Sequence, residues 1–114
     1  MTNFDLDLTT ALLSRTPAIL DAWLRDLPEE WTESNEGENT FSPFDVVGHM
    51  IHGERTDWMP RTRMILQYAE SRPFEKFDRL AQNRESAGKS LPELLDTFAA
   101  LRSENLNDLR GMNL

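Results

Sequence analysis

Apolar residues recur at helical spacing along this chain from one end to the other, and no stretch alternates apolar and polar residues with period two. That pattern favours an all-α fold and leaves no candidate strand. Two start signals of the same kind punctuate it. Ser42-Pro43 is followed by Asp45, and Ser90-Leu91-Pro92 by Glu93. In each, a serine hydroxyl can accept from the amide three residues on. The proline sits where a helix needs no donor, and the acid lies at the positive helix end.

From these signals we expect three main helices with long connections. The first helical region spans about Leu6 to Leu27, with Thr16-Pro17 read as a cap and first helical residue. Leu8–Ser14 is then a short turn, the helix proper starts at Pro17, and Ile19, Leu20, Trp23, Leu24 and Leu27 form its apolar stripe. Pro28 ends it, and Glu29–Thr40 is a polar loop anchored by Trp31. The second helix starts at Pro43 and runs past Asp57 until Pro60 bends or breaks it, with a further segment over Arg61–Ala69. Ser71–Lys89 reads as irregular, pinned by Phe74 and Phe77. The last helix runs to about Arg110 with Leu91, Leu94, Leu95, Phe98, Leu101 and Leu109 on one side, and Gly111 stops it.

At 114 residues the chain is read as one domain, 1–114. Its net charge of −8 opposes nucleic-acid phosphates and anionic membranes, so neither is expected as a partner. No cysteine is present, which excludes disulfides and thiolate ligands. With no signal-peptide pattern at the start and no long apolar run, a cytoplasmic location is expected.

The two histidines of the chain, His49 and His52, lie on the second helix one turn apart. At about 100° per residue, Val47, Ile51, Glu54 and Trp58 share one face, and Asp45, His49, His52 and Thr56 share another. Asp45, His49 and His52 are therefore a candidate metal site, with His49 the leading ligand and Asp45 as a ligand or as the carboxylate that orients an imidazole. Gly53 leaves room beside His49. The same stripe also suits a solvated face, and two histidines do not complete a transition-metal shell.

Glu54 falls among apolar residues and needs a partner there. Arg102, on the last helix, is the expected one, as a structural ion pair that sets helix register rather than a catalytic base. Trp23 and Trp58 read as core. Phe74–Asp78 reads as loop anchoring, or as a pocket mouth. No phosphate-binding glycine loop, nucleophile elbow or catalytic triad is visible.

The run TFSPFDVVGHMIHGERTDWMPRTRMIL, residues 40–66, resembles the second-helix segment of the DinB-like proteins, which are metal-binding four-helix bundles. Leu13–Pro28 is similar to that family's opening helix, and Phe74–Asp78 with Leu91–Leu109 to its third-helix region. The resemblance implies an up-down four-helix bundle of which about three main helices are present. It also implies a divalent metal such as zinc or nickel, with His49 matching the family's second-helix ligand. Two further histidines usually come from a fourth helix, so the metal site is incomplete in this chain, which reads as truncated or degenerate.

Three functions follow as expectations. One is a metal-dependent enzyme acting on a small thiol or other small molecule by transfer, isomerisation or hydrolysis. Another is a non-catalytic small-molecule-binding or stress-related bundle with a lost or incomplete metal site. The third is an interaction module that forms a homodimer through uncovered helix faces.

Overall fold

Asp5 opens the first helix by accepting from the Leu8 amide at 3.0 Å, and each later helix follows from a local signal or from packing. The computed structural model describes residues 5–68, 73 and 81–112. In order they form α1 (Leu6–Leu24), α2 (Glu29–Thr32), α3 (Pro43–Thr56), α4 (Trp58–Tyr68), α5 (Ala81–Glu85) and α6 (Leu91–Arg110). The architecture is an all-α bundle, with no strand among the described residues.

The two serine start signals act as written. Ser42 Oγ accepts from the Asp45 amide at 3.1 Å while Asp45 Oδ2 accepts from the Ser42 amide at 3.0 Å, a reciprocal capping box. Ser90 Oγ accepts from the Glu93 amide at 3.3 Å at the start of α6.

α6 is the centre of the bundle, and α1 and α3 pack on it far more than on each other. One apolar cluster joins Leu24, Val47, Ile51, Leu91, Leu94, Leu95 and Phe98. A second joins Met59, Leu106 and Leu109, with Leu6, Leu13 and Trp58 against it. Early residues of α1 thus meet late residues of α6, and late meet early, so these helices are antiparallel. The α3–α4 pair runs the other way, parallel to α6. Surface ion pairs from Arg25 to Asp96 and from Arg63 to Asp108 follow this register, and Arg25 also pairs within its own turn. Arg25 reaches Asp21 at 2.6 Å and Asp96 at 2.5 Å, and Arg63 reaches Asp108 at 2.9 Å. The Asp21 hydrogen bond first, then that of Asp96, holds the Arg25 guanidinium above its ordinary range.

α1 departs from the sequence expectation, because it is one helix from Leu6 to Leu24 with Pro17 inside it. An interior proline has no amide for the carbonyl four residues back, here that of Leu13. Arg102 supplies the missing donor: its Nη1 donates to the Leu13 carbonyl at 2.9 Å. A residue 89 positions away therefore satisfies the group that Pro17 leaves open, and no local signal announces this.

The break in the second helix also falls elsewhere. α3 ends at Thr56, Asp57 is its cap with ψ −86°, and Pro60 lies in the first turn of α4. Breaking the helix three residues early places the proline where no intrahelical donor is required. Two segments read as irregular contain short helices. α2 occupies part of the expected loop, and it is Thr32 rather than Trp31 that is buried there. α5 packs against α3. Phe74–Asp78 lies outside the described residues. Trp31 is 70% exposed, and in α1 Trp23 is 69% and Ile19 60% exposed, so these three are not core. Leu20 and Leu24 carry the packing of that part of α1.

Candidate functional site

α3 divides its side chains among three sectors. Val47, Ile51 and Glu54 point to α6, where the first two are in the core. Gly48 and His52 point to α5. A Cβ at Gly48 would lie 2.5 Å from Ser86 Oγ and 3.6 Å from the Gln82 Cβ, so any larger residue here would force the Ser86 hydroxyl to shift. The third sector holds Val46, His49 and Gly53, and it belongs to neither neighbour. Among the described residues a Cβ at Gly53 would meet nothing within 4 Å.

The three candidate ligands on α3 have different fates. Asp45 is the acid of the capping box. His52 is buried, with Nδ1 3.1 and 3.2 Å from the two Glu85 oxygens. Arg55 Nη1 lies 3.9 Å from the same carboxylate. His49 is half-buried, its ring tilted at 55° to Phe41 with centroids 5.6 Å apart. The expected convergence of Asp45, His49 and His52 is therefore not what the structure holds. Helical spacing places them on adjoining positions, but α5 draws His52 aside and the helix start draws Asp45 to Ser42.

Glu54 and Arg102 form a buried ion pair at 2.7 Å, with Arg102 Nε also donating to Glu54 Oε1 at 2.8 Å. Trp58 Nε1 donates to the same oxygen at 2.9 Å, and Asn105 Nδ2 donates to Glu54 Oε2 and to the Glu54 carbonyl, each at 2.9 Å. Both carboxylate oxygens are thus held, and the guanidinium lies 5.0 Å over the Phe98 ring. Joined to the Leu13 carbonyl, this network ties α1, α3, α4 and α6 together. It leaves no oxygen of Glu54 turned toward a substrate, which suits a structural pair.

Sequence reasoning missed Glu85, Gln82 and Ser86. Gln82 and Glu85 sit on α5 and Ser86 directly follows it; the place of this segment against α3 is set by long-range packing, and only the mid-helix glycine, Gly48, could have signalled a close approach. Beside them is a cavity of about 450 Å³ lined in part by Glu33, Phe44, Asp45, Asn83 and Lys89. The Gln82 side-chain amide is buried at this junction, and neither its nitrogen nor its oxygen has a hydrogen-bond partner among the described residues.

The donors do not fit a complete transition-metal shell. Among the described residues no group of three or more His, Cys, Asp or Glu side chains could hold a metal ion, while a catalytic zinc takes about three protein ligands. Among the described residues no helix is long and apolar enough to cross a membrane. The family model of the DinB superfamily matches residues 12–114. No curated protein matches the chain.

Proposed function

This chain belongs to the DinB superfamily, and on that footing we propose that it is a metal-binding protein in which α3 contributes one ligand, His49. The ion would be divalent, zinc or nickel, with its other ligands outside the described residues. The reaction class that goes with this reading is thiol transfer or hydrolysis on a small molecule. When bound, such an ion lowers the pKa of a coordinated water or thiol. What this chain's own residues do is hold the ligand helix in place. Ser42 and Asp45 fix its start, Gly48 seats it on α5, and Glu54 with Arg102 fixes its register on α6.

What supports the reading is membership of the DinB superfamily together with the place of His49 on α3, where a Cβ at Gly53, four residues on, would meet nothing within 4 Å among the described residues. A second reading, a non-catalytic small-molecule-binding bundle, is favoured by the lack of a three-donor group among the described residues.

Metal content separates the two. The purified chain is dialysed against trace zinc and nickel beside His49→Ala, His52→Ala and Asp45→Asn, and analysed for bound metal. Metal retained by the chain and by His52→Ala, and lost from His49→Ala, is the expected result. No retained metal in any of the four overturns the metal reading in favour of the binding bundle.

A further inference from the structure

The outward side of α1 carries an apolar stripe that the core does not use. Leu8, Leu12, Ile19 and Trp23 are 61, 61, 60 and 69% exposed. At about 100° per residue they fall within roughly 60° of one another. At about 1.5 Å rise per residue the stripe is about 22 Å long. It faces away from α6, because Leu6, Leu13, Leu20 and Leu24 are the α1 residues packed in the two clusters. Arg15 lies in the gap between Leu12 and Ile19, its Nη1 turned aside to the Ala11 carbonyl at 2.9 Å.

An acidic segment follows the stripe directly. Residues 26–38 contain Asp26, Glu29, Glu30, Glu33, Glu36 and Glu38 and no lysine or arginine. All six carboxylates are exposed, and none is in an ion pair among the described residues. Arg25, the cation that caps α1 just before this segment, is turned to Asp21 and Asp96 and pairs with none of the six. Trp31, 70% exposed, stands within the acidic segment, and an indole face attracts cations as well as apolar groups.

We propose that this face docks a cationic amphipathic helix of a partner protein. Apolar anchors spaced i, i+4, i+11 and i+15 on α1 match the apolar side of a helix of about four turns lying along it. The carboxylates at one end would meet lysines or arginines on the polar side and set the direction of docking. Charge argues against a second copy of this chain as the occupant. Each copy carries −8 and would bring the same acids to the contact. The inference is independent of any metal at His49.

The probe is a 15-residue peptide of leucine and lysine patterned as an amphipathic helix, with a control of the same pattern carrying glutamate for lysine. Each is titrated by calorimetry into the 114-residue chain at low and high salt, and the mass of the chain alone is followed by sedimentation. The lysine peptide should bind, more weakly as salt rises, and the glutamate peptide should not. Ile19→Ser with Trp23→Ser should weaken binding by about tenfold or more. Glu29→Gln, Glu30→Gln and Glu33→Gln together should weaken it several-fold and flatten the salt dependence. All substituted positions are exposed, and circular dichroism checks that each variant folds. Equal binding to the Ile19→Ser/Trp23→Ser chain, or equal binding of the glutamate peptide, overturns the proposal. So does a concentration-dependent dimer that the same two substitutions abolish, which would make a second copy the occupant.

Discussion

Replacing Arg102 should expose how α1 tolerates Pro17. The Arg102 guanidinium makes two kinds of contact, to Glu54 Oε1 at 2.7 and 2.8 Å and to the Leu13 carbonyl at 2.9 Å. In Arg102→Met the buried Glu54 keeps Trp58 and Asn105 but loses its counter-charge, which costs about 3–5 kcal/mol in comparable buried pairs. The partly buried Leu13 carbonyl also loses its donor, at a cost toward the low end of the about 1–3 kcal/mol of a fully buried group. The two costs overlap, so about 4 kcal/mol in all is expected, a large part of the stability of a small domain. Pro17→Ala tests the second cost by itself. It restores an amide that can bond the Leu13 carbonyl within the helix. In the native background Arg102 already fills that role, and alanine gains little more than relief of the proline ring. In the Arg102→Met background it also repairs the open carbonyl, and the gain should be larger by about 1–2 kcal/mol. The assay is urea unfolding of the four proteins of the double-mutant cycle, with an excluded osmolyte present so that Arg102→Met stays folded at zero urea. A coupling smaller than about 0.5 kcal/mol would refute the argument that Arg102 stands in for the proline amide.

Three further outcomes follow from the same geometry. Gly48→Ala should destabilise by about 1–2 kcal/mol, because its Cβ would meet Ser86 Oγ at 2.5 Å, and Ser86→Ala in the same chain should recover most of that in urea unfolding. Ser42→Ala should cost about 1 kcal/mol through the lost cap, and Asp45→Asn should lower stability without changing metal retention, since the carboxylate serves the Ser42 amide. Acrylamide should quench Trp23 and Trp31 readily and Trp58 poorly. Trp→Phe variants that leave one indole at a time would show this, and strong quenching of Trp58 would contradict its half-buried place beside Glu54.

Much of the fold was legible residue by residue. Ser42-Pro43 and Ser90 with Glu93 mark helix starts through bonds that close within three residues, so local sequence contains both partners. The α6 core face was equally plain, since a twenty-residue helix with leucines at helical spacing has one way to bury them. Glu54 announced a buried partner because an acid on an apolar face needs one, and Arg102 was the cation on the facing helix.

What tertiary structure alone decided were the contacts whose two ends lie far apart in the chain. Thr16-Pro17 has the form of a helix start, and only Arg102, arriving from α6, lets the helix run through it. Helical spacing put Asp45, His49 and His52 in reach of one another. Asp45 was already claimed locally by the capping box, but only the arrival of α5 with Glu85, 33 residues on, turned His52 away. Trp23 and Trp31 look like core by type, but burial depends on which face a neighbour covers, and α6 covers the side of α1 that holds Leu20 and Leu24. The sequence by itself determined where helices begin and which faces are apolar. The packing of α1, α3 and α5 decided which polar groups were used up in holding the bundle, because a hydrogen bond or an ion pair needs its second partner in place before it can form.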